Sequence, residues 1–210
     1  HVAIWMDSLS GGMNPYIELY NSGGGYLAAD NDGGPDAGAC ISGYTLPASG
    51  TYYIRATSAS AAMGNYRVRV DLMRGRQFES DASYANDTLG SADAVSLVQS
   101  GSHRLAAVAG LVMGPEAWNF DEDLYALGLL NGGNVIELQV TLPTNGTVLP
   151  LVSVVDENGN LVRNEETNVW NGHYRATVPA TANYYALVSS WLPYGGSLYT
   201  ALTLDNGQWS

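Results

Sequence analysis

The sequence predicts an all-β protein, two antiparallel jelly-roll-like β-sandwiches in tandem, and three observations predict it. The 210 residues include 25 Gly and 14 Tyr but only 2 Phe, a balance suited to tight turns and half-buried pleated surface. Apolar residues alternate with more polar ones in short runs closed by turn signals, as at Ile17 and Leu19, Val68 and Val70, and Val152 and Val154. The third observation is that the chain repeats itself.

Residues 14–32 lie over 149–167 at a constant offset of 135, so that Pro15 meets Pro150, Asn21 meets Asp156 and Gly24 meets Gly159. After a three-residue contraction, LPASGTYYIRATS at 46–58 lies over VPATANYYALVSS at 178–190, and the strand RVRVDL falls on TALTL. Shared spacing of proline, turn, paired tyrosines and final strand reads as two copies of one domain. The first copy, 1–72, is an incomplete sandwich; 73–86 is a linker; 87–210 is a complete sandwich.

Taken in order, His1 to Met6 already read as a strand, so no leader is visible and the chain is expected to be mature, processed or cut. Asn-Ser-Gly-Gly-Gly after Tyr20 and Asp-Glu-Asn-Gly-Asn after Val155 are hairpin signals. Tyr53, Arg55 and Thr57 continue the period of two. Ala92 to Val98 is a short helical candidate, and 119–138 carries a further strand with no counterpart in the first copy, because His1 already aligns near Val135. The first sandwich therefore lacks its opening strands. Such an edge recruits another chain, and Leu202 to Ser210, which includes Trp209, is the candidate donor for fibre-like self-association.

Hydrophobic residues at 46% and charged residues at 13% exclude a disordered chain, and no apolar run is long enough to span a bilayer. Eight arginines and no lysine face 20 acids for a net charge of −12, which disfavours nucleic acid and anionic lipid as partners. Such a chain attracts cations, and 12 of the acids are Asp, the shorter ligand suited to Ca²⁺ loops. Cys40 stands alone, so no intramolecular disulfide forms, and it reads as a small buried hydrophobe.

NPYIELYNSGG, LAADNDGG, ISGYTLPASGTYYIRATS and GNYRVRV together resemble the bacterial pre-peptidase C-terminal domain, a small β-sandwich attached to exported proteins. In the second copy, YANDTLGSADAV is similar to that family's opening motif and FDEDLYALGL to its Asp-x-Asp-x-Tyr strand. Related modules include the collagen-binding domains of bacterial collagenases, which bind Ca²⁺ where a linker meets the sandwich. The resemblance implies Ca²⁺ ligands at Asn86, Asp87, Asp121 and Asp123, with Asp81 or Glu79 contributing from the linker. Tyr84 and Ala85 depart from the family's usual Glu-Pro, which removes one carboxylate. In the first copy the acidic loop supplies Asp30, Asn31, Asp32 and Asp36, with Asn14 where the family has Asp before Pro. Closely spaced oxygens beside Gly33 and Gly34 suit a six- to eight-coordinate cation. Leu149, Glu165 and Glu166 stand opposite these positions and make a matching site in the second copy less expected.

Asp156, Asn158 and Asn160 read as a hairpin turn, and the five Trp as core or interface with a sugar-stacking platform as the lesser alternative. His103 and His173 read as solvated strand ends. No G-x-S-x-G, HExxH or phosphate-cradling motif occurs. The expectation is a non-enzymatic, extracellular, calcium-binding structural protein that associates with itself through sheet edges or calcium bridges. The alternative is a polysaccharide- or collagen-binding module of a secreted hydrolase.

Overall fold

A computed structural model describes residues 1–10, 12–112, 121–142, 149–166, 172–190 and 197–205. They form an all-β, sandwich-like structure in which the chain divides into two compact units, His1–Tyr84 and Ala85–Ser210. Unit 1 contains β1 (Val2–Ser8), β2 (Pro15–Asn21), β3 (Tyr26–Asp30), β4 (Ala39–Tyr44), β5 (Tyr52–Ser58), β6 (Tyr66–Leu72) and the short β7 (Gln77–Phe78). Unit 2 contains β8 (Asp93–Ala94), β9 (Val98–Ser100), β10 (His103–Val112), β11 (Glu122–Leu130), β12 (Val135–Thr141), β13 (Pro150–Asp156), β14 (His173–Thr177), β15 (Ala182–Ser190) and β16 (Ser197–Asp205). The region read as a helical candidate holds β8 and the start of β9; its Ala and Ser residues are too few to nucleate a helix against the pairing of Asp93 and Ala94 with β11. No helix among the described residues is long and apolar enough to cross a membrane.

In unit 1, β4-β1-β6 and β3-β2-β5 form two antiparallel sheets. Alternation decides which side chains meet between them: Val2, Ile4 and Met6 of β1 and Ala39 and Ile41 of β4 pack against Ile17 and Leu19 of β2. In unit 2 the same pairings recur, with β12 between β14 and β16 and with β13 beside β15. Each sheet is extended there, β10 (carrying β9) adding to β16 and β11 (carrying a short parallel β8) to β15. Tyr125, Leu130, Ile136, Leu138, Tyr174 and Tyr184 are the largest side chains in that core.

The aligned turns are built alike. Asn21 Oδ1 accepts the N–H groups of Gly23 and Gly25 at 3.0 and 2.8 Å, and Asp156 Oδ1 accepts those of Asn158 and Asn160 at 2.9 Å each. Gly24 and Gly159 take φ of 77° and 80° in these turns, where an L side chain is strained. The first tyrosine of each pair also serves one purpose: Tyr52 donates to the Ala48 carbonyl at 2.7 Å, and Tyr184 to the Ala180 carbonyl at 2.8 Å. This tyrosine-corner bond pins the segment before the strand. Removing it by Tyr184→Phe is expected to cost about 1 kcal/mol in urea unfolding, with Tyr52→Phe costing less because Tyr52 is half-exposed.

Most of the segment read as linker belongs to unit 1: Ser42 Oγ donates to the Glu79 carbonyl at 2.9 Å and accepts the Asp81 N–H at 3.2 Å, and Ser83 N–H donates to Gly33 O at 2.9 Å. The division falls after Tyr84. Strand order corrects the reading of the donor strand. Leu202 to Asp205 lie in β16, paired on one side with β10 and on the other with β12, so they are not available to another chain; 206–210 lie outside the described residues.

Candidate metal centre

β11 starts at Glu122, so Asp121 and Asp123 stand two residues apart at its head and share a face. Both are buried, and Asp123 has no exposed surface. Asn86 and Asp87 run alongside: Leu124 N–H donates to the Asn86 carbonyl at 3.2 Å, and Glu122 N–H to Asp87 Oδ1 at 3.3 Å. Backbone N–H groups of β11 thus tie Asp121 and Asp123 to two residues more than thirty positions earlier in the chain. Asn86 is fully buried, and neither its Oδ1 nor its Nδ2 has a hydrogen-bond partner. An amide left so costs about 1 to 3 kcal/mol, and its oxygen fits a ligand position.

Asp121 and Asp123 are buried aspartates with carboxylate oxygens within 4.8 Å of one another, a pair that could contribute to a metal site, and Asp81 is buried within unit 1. Carboxylate and amide oxygens without nitrogen or sulfur suit a hard cation. Asp87 is half-buried with one oxygen engaged by the backbone. Glu79 is buried too, but what it offers Ser42 is its main-chain carbonyl.

The acidic loop of unit 1 is less uniform than its composition suggests. Asp30 Oδ2 accepts the N–H groups of Gly33 and Cys40 at 2.9 and 2.7 Å, so this carboxylate closes the loop onto β4. Asp36 is exposed and sits in the left-handed region at φ 53°. Asn14, Asn31 and Asp32 do come together. With its nitrogen turned inward, Asn14 donates to Asn31 Oδ1 at 2.9 Å and to Asp32 Oδ1 at 3.3 Å; turned the other way it adds an oxygen to theirs, the orientation a cation would select. Asn31 also donates to Asp32 Oδ2. Cys40 is buried, and burial together with the Asp30 charge pushes its thiol well above the usual range, as expected of an inert core cysteine.

One cluster was not anticipated. His173, read as a solvated strand end, is largely buried beside β12, with Nε2 3.2 Å from Glu137 Oε1 and Nδ1 3.5 Å from Glu166 Oε1. Arg175 lies 3.5 Å from Glu137 Oε2. The β12–β14 register, which sets Glu137 opposite Arg175, creates this group and is not written in local sequence. Trp5 is buried under Arg69, whose guanidinium lies 5.2 Å from its ring centre; the other four Trp lie outside the described residues.

The Asp156 turn behaves as the hairpin reading requires. Bonds from the Asn160 side chain and backbone, then from Asn158, hold its carboxyl below the usual range. A group whose pKa is lower folded than unfolded stabilises above its unfolded value, about 3.9 for Asp, and loses that contribution as pH falls through the folded value. Asp156→Asn is expected to lose stability against the parent at pH 7, keeping the turn as Asn21 does, and the gap is expected to close near pH 2. Urea unfolding at the two pH values measures it.

No protein-family model matches the chain, and no curated protein matches it. Among solved structures it is similar to PliG of Aeromonas hydrophila, a periplasmic lysozyme inhibitor of g-type lysozyme, at 15% identity and a TM-score of 0.39 over 55% of this chain and 96% of that one.

Proposed function

We propose that the chain is a non-enzymatic structural protein of the extracellular space, held together by Ca²⁺ and associating with itself. The observation that carries this reading is the fully buried Asn86 amide without a hydrogen-bond partner, on a segment bonded through its main chain to the head of β11, where the Asp121 and Asp123 carboxylates are buried with oxygens within 4.8 Å of one another. Carboxylates so placed repel one another, and a cation would relieve that repulsion and could take the unbonded amide oxygen of the adjoining segment, whereas a hydrolytic pair needs one carboxyl protonated. Asp87 is proposed as a further ligand of this site, and Asn14, Asn31 and Asp32 as a second, more open one. Localisation follows from the metal, because millimolar extracellular Ca²⁺ fills sites of modest affinity.

Light scattering and negative-stain imaging of the chain in millimolar CaCl₂ and in EDTA test the reading. Particles larger than one chain that disperse on chelation are expected. A monodisperse monomer under both conditions would overturn the assembly half of the proposal.

A further inference from the structure

Unit 1 ends in two strand edges where unit 2 continues. Among the described residues, no strand pairs with the outer side of β5 or β6, whereas their counterparts β15 and β16 pair with β11 and β10. β3 packs on β4 at the other end of the sandwich, so the β5 and β6 edges lie at one end together.

The core-facing rows on these edges are uncovered. On β6, Val68, Val70 and Leu72 stand opposite the buried Met6, Ile4 and Val2, so they face the core, yet Val70 is 47% and Leu72 60% exposed. Tyr66, in the same row, is 51% exposed. On β5, Ile54 is 37% exposed, while Ala186 at the matching position of β15, paired with Tyr125 of β11, has no exposed surface. An apolar row ending on an open sheet edge is an interaction surface.

We propose that this edge pairs with the same edge of a second copy, β6 running antiparallel to its twofold mate and β5 approaching β5 across the same axis. This rests on the self-associating reading above and names its surface. The sequence of β6 is self-complementary: centred on Arg69, Tyr66 meets Leu72, Arg67 meets Asp71 and Val68 meets Val70 of the second copy. A twofold axis satisfies both members of each pair at once. Charge favours the same occupant. The chain is at −12, but this edge carries three of its eight arginines, each already facing an acid: Arg55 with Glu18 at 2.8 Å, Arg67 with Asp7 at 2.6 Å and Arg69 with Asp71 at 2.8 Å. Two copies therefore meet along a charge-balanced strip of an otherwise acidic protein.

The test is the molar mass of the whole chain by size-exclusion chromatography with light scattering, for the parent and for Val70→Lys, Ile54→Lys and their combination. A dimeric mass for the parent that halves in the combined variant is expected. A second arm uses Arg69→Cys, which places thiols at the twofold axis and is expected to give a disulfide-linked dimer on mild oxidation, with Ser102→Cys on unit 2 as the control that does not. If Val70→Lys impairs folding of unit 1, the Arg69→Cys arm decides. A stable monomeric parent, its edges left open or filled by some other segment, would overturn both the surface and the self-associating reading. Oligomers that ignore the lysines and do not cross-link at position 69 would overturn the surface and leave self-association standing.

Discussion

Asp123→Asn is expected to lower the melting temperature in calcium and to raise it in EDTA. With metal present, the variant loses a charged ligand from a buried strand position. Metal that binds only the folded state adds about 2.7 kcal/mol at a hundredfold excess over its Kd, or about 8 to 13 °C for a unit of this size. Without metal the sign reverses, because the Asp121 and Asp123 carboxylates have oxygens within 4.8 Å of one another. Two like charges so placed repel by about 3 kcal/mol at an effective dielectric of about 20, and neutralising one relieves that. A purely structural aspartate would give the same sign in both buffers. Thermal melts followed by circular dichroism in 1 mM CaCl₂ and in EDTA make the comparison.

Gly43→Ala is expected to cost about 3 kcal/mol or more, concentrated in unit 1. Gly43 lies in β4 at φ 59°, where an L residue pays about 1 to 2 kcal/mol. A Cβ there would also run into the Glu79 carbonyl oxygen, which is backbone and already accepts the Ser42 hydroxyl. Forcing a methyl into packed surroundings adds about 1 to 3 kcal/mol. The backbone of 79–81 lies this close to β4 because Gly43 has no side chain, so the substitution also displaces Asp81, whose N–H is held by Ser42. Urea unfolding is expected to show an early transition for unit 1. An unchanged unit 1 would mean that the 79–81 segment does not pack on β4 in solution.

The all-β fold was legible because its signals are local: alternation, Gly-rich turns and the offset of 135 that sets Asn21 on Asp156, where the two side chains make the same turn. The resemblance brought Asn86, Asp87, Asp121 and Asp123 to notice as a group, and hydrogen bonds from Glu122 and Leu124 place them side by side. What escaped the sequence depends on long-range partners. Asp30 bonds the N–H of Cys40, ten residues on, and so closes a loop that composition alone made look like four equal ligands. The contacts that draw 79–83 into unit 1 come from Ser42 and Gly33. The place of β16 between β10 and β12, and the meeting of His173 with Glu137, are matters of strand order and register.

The most direct test of the calcium claim is a calorimetric titration of the chelator-stripped chain with CaCl₂, repeated for Asn86→Ala and for Asp121→Asn combined with Asp123→Asn. Saturable binding in the parent that is weakened at least tenfold in Asn86→Ala and lost in the double variant is the predicted result. Absence of binding in the parent, or binding of undiminished affinity in the double variant, would contradict the account.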